Sequence, residues 1–287
     1  MRLLICTASV VALAAGAGAG LIPPQSPAAR VPEPSQPPPR GEPTPIAGQG
    51  YRKVFEDDFK TFKKNVWRRG LWYEKKAPAS DIYARNGILH IVTRRANGYP
   101  DRNVSTHLGA NDSRTRSFRQ GYFEARIKIP AGTGHHAAWW MMSDNWMSHR
   151  TCGSLVSEFD IFESMGGQTR AHSGALHRNT KHPGPCGAIP DQINTNGWTN
   201  DVGFDQSLGF HTYSGLWTQT EVTWYIDGRA LGTWAVWDST DQPMSLILSS
   251  CVNGGWGPAV DASTPDNLDV RVDWVRVWQK PSSAGVH

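Results

Sequence analysis

From residue 121 the chain reads GYFEARIKIP, with Phe123, Ala125, Ile127 and Ile129 on one side of an extended backbone and Tyr122, Glu124, Arg126 and Lys128 on the other. A period of two marks a strand with one buried face. TEVTWYIDGRALG repeats it, grouping Val222, Trp224 and Ile226 before Asp227-Gly228, a pair suited to the positive-φ positions of a hairpin turn. NGILHIVTRR and DVRVDWVRVW read as further strands, and long helical periods are absent. Strands that each need one face covered are satisfied by stacking two sheets. The expected class is all-β, a sandwich of two antiparallel sheets.

The pattern does not extend to the N-terminus. MRLLICTASVVALAAGAGAG has one Arg, an apolar run and then small residues, the layout of a secretory signal over residues 1–19, with cleavage near Ala17 or Ala19. It is short for a span of about 20 strongly apolar residues. Residues 20–49 are crowded with proline and nearly free of large apolar groups, so a disordered tether is expected there. The folded domain is expected over 50–281, with 282–287 as a tail, and a length of about 230 residues suits one large sandwich. The protein is expected to be secreted, extracellular or bound to a cell wall.

A net charge of +4, scattered over 287 residues, offers no stripe for nucleic acid. No membrane association is expected once the leader is removed, and a monomer is expected. Thirteen tryptophans are the more telling excess, because flat rings cover the apolar faces of sugars, although most of any such set is core. Of the four cysteines, Cys6 leaves with the leader. Cys152 and Cys186 bracket the run VSEFDIFESMGG and are expected to pair in an oxidising compartment, leaving Cys251 free; a Cys186 to Cys251 bridge is the rival.

That run breaks the alternation. Glu158 and Asp160 share a face, but Glu163 is an odd number of positions away and points with Phe159 and Ile161. One β-bulge at Ile161-Phe162 would return Glu163 to the face of the other two acids while Phe159 and Ile161 stay in the core. Three carboxyls would then line one groove, the layout needed for a nucleophile and an acid/base. An acidic solvent-facing strand is the plainer account of the acids taken alone.

EFDIFE resembles the E-[ILVF]-D-[IVF]-x-E signature of glycoside hydrolase family 16, in the bulged form of its laminarinase-type endo-β-1,3-glucanases. VFEDDF, GYFEARIKIPAGTGHHAAWWMM, FHTYSGLWTQTEVTWYIDG, LILSSCVNGGW and VRVDWVRVW are similar to family segments in the same order, over about residues 52–279. The resemblance implies a concanavalin A-like jelly roll whose concave sheet binds a polysaccharide and cleaves it with retention of configuration. It assigns Glu158 as nucleophile, Glu163 as acid/base and Asp160 as the helper between them. Neighbouring carboxyls suit that division, since repulsion and surroundings drive their pKa values apart.

By the same resemblance His177 reaches the catalytic carboxyls, whereas His172 reads better as a satisfied histidine beside the cleft. Trp139 and Trp140 face opposite ways; family matching puts Trp140 at the groove bottom, and an offset of one would exchange the two. Trp146 and Trp256 sit on rim loops as sugar platforms or as loop anchors. No cofactor is expected for catalysis. A structural calcium on the convex face would use Asp58, the Gly87 carbonyl and Asp273, although acids paired with Lys or Arg account for these positions equally well. The stretches SDNWMSHRTCGSLVS and RNTKHPGPCGAIPDQINTNGWTND are long for compact laminarinases and border the groove, which bears on the substrate. The expected activity is endo-hydrolysis of β-1,3-glucan. The alternatives are an endo-galactanase or agarase-like enzyme on the same fold and a non-catalytic glucan-binding lectin, a class that lacks the acids present here. Asn103 and Asn111 head glycosylation sequons.

Overall fold

The computed structural model describes residues 43–109, 111–144, 156–179, 193–236, 242–252 and 259–281. The leader, most of the proline-rich segment, Trp146, Cys152, Cys186 and Trp256 lie outside the described residues. In chain order the strands are β1 (Arg52–Asp57), β2 (Arg68–Arg69), β3 (Ile82–Arg85), β4 (Ile88–Arg94), β5 (Arg102–Ser105), β6 (Ser117–Phe118), β7 (Gly121–Lys128), β8 (His135–Ser143), β9 (Val156–Met165), β10 (Gln168–Asn179), β11 (Ile193–Asp201), β12 (His211–Trp217), β13 (Glu221–Ile226), β14 (Arg229–Ala235), β15 (Met244–Val252) and β16 (Asn267–Gln279).

They form two sheets in which the paired strands run antiparallel. The first has the order β14-β13-β12-β7-β16-β4-β3, with β1 on the second half of the long β16; the second has the order β11-β10-β9-β8-β15-β5-β2, with β6 on the start of β15. The chain changes sheet between β1 and β2, β2 and β3, β4 and β5, β6 and β7, β7 and β8, β11 and β12, and β14 and β15, then returns with β16. This crossing pattern is a jelly roll, so the all-β sandwich read from the alternation is the observed fold.

The alternation also locates the core. Phe123, Ala125 and Ile127 of β7 meet Trp139 and Met141 of β8 and Phe159 and Ile161 of β9 between the sheets. The DG turn joins β13 to β14 with φ of 49° at Asp227 and 78° at Gly228, as a hairpin of matching twist requires. The outer side of β7 is not solvated as its polar letters suggest. Tyr122 and Glu124 are buried, because Ile46, in a short 3-10 turn at Thr44–Ile46, packs with Tyr122 and Trp278. Ordered packing therefore starts a few residues ahead of the boundary expected at residue 50.

Candidate active site

The register around β9 contains one extra residue. Against β8, Met142 faces Glu158, Met141 faces Phe159 and Trp140 faces Asp160, but the next pairs are Trp139 with Phe162 and Ala138 with Glu163, so Ile161 has no counterpart. Against β10, Ala175 faces Asp160 and Ser173 faces Glu163, the same excess of one. A bulge of this kind exchanges the faces of all later side chains. Phe159, Ile161 and Phe162 are accordingly all at 0% exposure in the core, and Glu158, Asp160 and Glu163 share the outer face of the second sheet. The apolar letters of EFDIFE fill one side and its acids the other.

A bulge takes carbonyls out of the ladder, and a buried carbonyl left unpaired costs about 1–3 kcal/mol. Two side chains collect them here. Trp224 Nε1, reaching across from β13, donates to the Asp160 carbonyl at 2.8 Å, and His172 Nε2 of β10 donates to the Ile161 carbonyl at 3.2 Å. Two glycines keep the approach open: a Cβ on Gly174 would stand 2.5 Å from Trp224 Nε1, and one on Gly215 would stand 2.6 Å from Phe159 Cζ. His172 is fully buried, stacks on Trp198 at 5.3 Å between centroids, and has its pKa pushed down to about 3 by burial. It is a neutral donor that holds the backbone, not a group facing substrate.

On the acidic face the carboxyls divide into a pair and a single group. Asp160 and Glu158 hydrogen-bond each other, and Asp160 Oδ2 lies 2.8 Å from His177 Nε2. Burial, with the neighbouring acids, raises both: Glu158 to about 8, and Asp160 well above the usual carboxylate range, through burial and the charge of Glu163. Glu163 is held separately, its Oε1 accepting from His136 Nε2 at 3.0 Å. Burial pushes Glu163 up, but the hydrogen bond and charge of His136, with His177 behind it, outweigh burial and bring its pKa below the ordinary value. The resting groove thus keeps its proton on the Glu158–Asp160 pair. When Asp160 carries it and donates to Glu158, Glu158 is left with the negative charge. Glu158, Asp160 and His177 also offer ligand atoms within 4.8 Å of one another, a set that could take a divalent cation only by giving up the proton shared by the two acids.

Trp140 stands in the row of Asp160 and forms an apolar floor with Ala138, Met142, Ile247 and Leu71, while Trp139 is in the core. Its Nε1 donates to Ser249 Oγ at 2.9 Å, Ser249 donates to Asn103 Oδ1 at 2.6 Å, and Asn103 Nδ2 donates to Glu74 Oε1 at 2.9 Å, whose other oxygen accepts from the Leu71 amide at 2.6 Å. This chain fastens the turn Leu71–Trp72–Tyr73–Glu74 onto the floor. Trp72 and Tyr73 meet edge to face at 4.9 Å, and Tyr73, 44% exposed, has its hydroxyl pushed up by burial and by the charges of Glu74, Asp101 and Glu158. Neither aromatic, nor His136, was singled out from the sequence. Asn103 is 2% exposed, so the first sequon is out of reach of a glycosylating enzyme.

Cys251 lies opposite His136 in the β15–β8 register and is buried. It is disulfide-bonded, which corrects the expectation of a free thiol; Cys6, Cys152 and Cys186, one of which must be its partner, all lie outside the described residues. On the first sheet, the Asp58 carbonyl is 3.8 Å from where a Gly87 Cβ would stand, and Asp273 follows the Val272–Leu89 pair at the same end of β4. Asp58 and Gly87 are therefore neighbours, with Asp273 one residue beyond the Val272–Leu89 pair. Both carboxylates are already ion-paired, Asp58 with Lys60 at 2.9 Å and Asp273 with Arg126 at 2.6 Å, so the oxygens suit the ion only if these cations swing aside.

Comparison with known proteins gives a consistent set of matches. Residues 53–280 match a family model described as "Beta-porphyranase A-D, GH16 domain". The chain is 25% identical over 257 residues to the endo-1,3-1,4-beta-glycanase ExsH of Rhizobium meliloti, covering 79% of this chain and 51% of that protein. It is 29% identical over 254 residues to the kappa-carrageenase of Pseudoalteromonas carrageenovora, covering 78% and 60%. The chain thus spans about half to three fifths of the length of these curated relatives. Among solved structures, the catalytic domain of an endo-1,3-beta-glucanase (laminarinase) from Thermotoga petrophila superposes with a TM-score of 0.61 at 22% identity, over 81% of this chain and 99% of that one.

Proposed function

Since the chain belongs to glycoside hydrolase family 16, we propose that it is a secreted, endo-acting retaining glycosidase that cuts β-1,3-linked glucan at the three acids of β9. The observation that carries the reading is the bulge at Ile161, which sets Glu158, Asp160 and Glu163 on one face above a floor of Trp140. A carboxylate on each side of a glycosidic bond is what double displacement requires. Glu158 attacks the anomeric carbon; as the new C–O ester bond forms, the glycosidic C–O bond breaks, and its oxygen takes the proton of Glu163. Water then attacks the same carbon, gives its proton to Glu163, and the ester bond to Glu158 breaks. Asp160 keeps its proton throughout and lends it as a hydrogen bond, stronger when Glu158 is charged.

The resting electrostatics favour a charged Glu163, so turnover proceeds through the fraction in which it is protonated, and the pH optimum falls on the acid side of neutral. The roles rest on position in the motif, and azide rescue tests them. With an activated aryl glycoside, Glu158→Ala plus azide should give an α-glycosyl azide, and Glu163→Ala plus azide a β-glycosyl azide. Reversed products would exchange the two residues; full activity in either variant would sink the site.

A second reading, an endo-galactanase or agarase-like hydrolase, is favoured by the matched family model, which is named for porphyran and not for a glucan. Activity on laminarin against agarose, porphyran and β-1,3-galactan separates the two. Export through residues 1–19 and a cofactor-free monomer belong to the same proposal; sequencing the N-terminus of protein from the medium should begin near residue 18 or 20. A calcium at Asp58, Gly87 and Asp273 would be structural, and a melting temperature unchanged by calcium or chelator would remove it.

A further inference from the structure

The second sheet ends at β2, and its register leads straight there from the acids. Asp160 faces Trp140, Trp140 faces Ile247, Ile247 faces Ser105, and Ser105 faces Arg68. Arg68 therefore stands in the row of Asp160 on the acidic face, four strand spacings away, about 19 Å. Between them lies the turn carrying Trp72 and Tyr73. Beyond it, at the sheet edge, is a cavity of about 310 Å³ whose lining includes Lys64, Arg68, Arg69, Lys76 and Arg114 against one acid, Asp112.

Charge of this density is normally neutralised from within, and here it is neutralised only in part. Asp112 is taken by Arg114 at 2.6 Å. Arg68 donates to the carbonyls of Leu71 and Glu74, and Arg69 to that of Ile82, while its guanidinium stacks over Phe62 at 3.8 Å. Both guanidinium groups are thus fixed in place and half-buried, and neither is hydrogen-bonded to a carboxylate. Glu74 acts on Arg68 through space, but its oxygens accept from the Leu71 amide and Asn103, and burial pushes its pKa up. Among the described residues Lys64 and Lys76 have no carboxylate partner, and both are exposed.

We propose that this cavity is a distal binding site for an anionic substituent, a sulfate ester or a carboxylate, on a polysaccharide that runs from the acids over Tyr73 and Trp72 to the β2 edge. Fixed guanidinium forks match the geometry of such oxyanions, and the exposed lysines add charge without demanding orientation. The proposal deepens the hydrolase reading by giving its substrate negative charge, and it rests on that reading only for the path of the chain.

The test is affinity electrophoresis of the full chain through gels holding a sulfated galactan, a uronate polymer or a neutral β-1,3-glucan. The Lys64→Ala/Lys76→Ala/Arg114→Ala variant removes three exposed charges and leaves Arg68 and Arg69 to hold their loop. A second variant, Arg52→Ala/Arg85→Ala/Arg271→Ala, removes as many charges from exposed positions on the first sheet. Retardation by the anionic gels should weaken about tenfold in the first variant, each exposed pair being worth a factor of up to about five. It should change little in the second, and added salt should abolish it in the wild type. The arm that responds identifies the sulfate or the carboxylate. Equal weakening in both variants means attraction to net charge only and overturns the site, as does equal retardation of wild type and the first variant. Turnover of a short aryl glycoside reads the acids separately: if it is absent while anionic gels still distinguish the variants, the hydrolase reading fails and the anion site stands.

Discussion

Removing the imidazole from His136 should move the alkaline limb of the pH–activity profile upward. Glu163 is faced by His136 of β8 across a 3.0 Å hydrogen bond, by His177 and His172 of β10, and by Asp160 and Glu158 of its own strand. Of these, His136 is the principal group that outweighs burial and keeps the pKa below the ordinary value. A hydrogen bond to a charged group is worth about 1.5–3 kcal/mol, and one pKa unit is about 1.4 kcal/mol. His136→Phe, which keeps the volume, should therefore raise the Glu163 pKa by one to two units. Glu163 must be protonated to release the leaving group, so the limb where activity falls with rising pH should shift upward by the same amount.

The sign yields a crossing that damage to the fold would not produce. A weaker acid donates less well, so on the acid plateau the variant should be slower by a few-fold. Above the wild-type limb it should be the faster enzyme, because more of it retains the proton. The assay is kcat/KM against pH with soluble polymer, alongside His136→Asn, whose amide can donate and should restore part of the original profile. Two parallel profiles, or a limb that stays in place, would refute the argument that His136 sets the proton on Glu163.

Trp224→Phe strands the Asp160 carbonyl and should cost about 1–3 kcal/mol in chemical denaturation, with a fall in kcat as the acids lose their alignment. Gly174→Ala places its Cβ 2.5 Å from Trp224 Nε1 and should reproduce both effects, whereas unaltered stability in either variant would mean that the bulge holds without Trp224. Trp139→Ala should destabilise by about 3–5 kcal/mol, while Trp140→Ala should chiefly raise KM, since it stands under the acids; equal losses of stability would contradict their separation by face. His135 and His172 both have pKa values pushed down to about 3, mainly by burial, whereas the unfolded chain takes their protons near 6.5. Stability should therefore be lost as pH falls from about 6.5 toward 3, with a slope near 1.4 kcal/mol per pH unit for each histidine. Urea titrations at several pH values measure it, and His172→Phe should remove one share of the slope.

The fold and the acids were legible because both are local. A period of two states which side of a strand is buried, and the odd step from Asp160 to Glu163 in an otherwise apolar run has few solutions besides one extra residue. What the sequence concealed is contact between distant letters. His136 is 27 positions from Glu163, and Trp224 is 64 positions from the carbonyl it satisfies; neither spacing has a pattern. The HH of HHAAWWMM sits before a tryptophan pair that drew the reading toward aromatics. GLWYE carries no period, and only Asn103 and Ser249, from β5 and β15, fasten it to Trp140. Ile46 was lost among prolines, since one buried side chain leaves no period.

The division of charge in the groove follows from the same bulge that brings the acids together. Three carboxylates on adjacent rows of one strand cannot all ionise in a buried setting, and an even spacing would have made them equivalent neighbours. The extra residue at Ile161 separates Glu163 from the other two and carries it toward β8, within reach of His136, while Glu158 and Asp160 remain opposite His177 and Ala175 of β10. One imidazole therefore serves the pair and another the single acid. A two-step displacement needs this asymmetry, because one proton must stay between Asp160 and Glu158 through both steps while the other leaves Glu163 and returns. Deleting Ile161 removes the odd step and the bulge together, so Glu163 should stay opposite Ala138 on the acidic face but become an equivalent neighbour of Asp160, with its pKa rising toward those of the other two acids. The measurement is the alkaline limb of kcat/KM against pH in the deletion variant, which should move upward; a limb that stays in place would show that the bulge is not what separates the two roles.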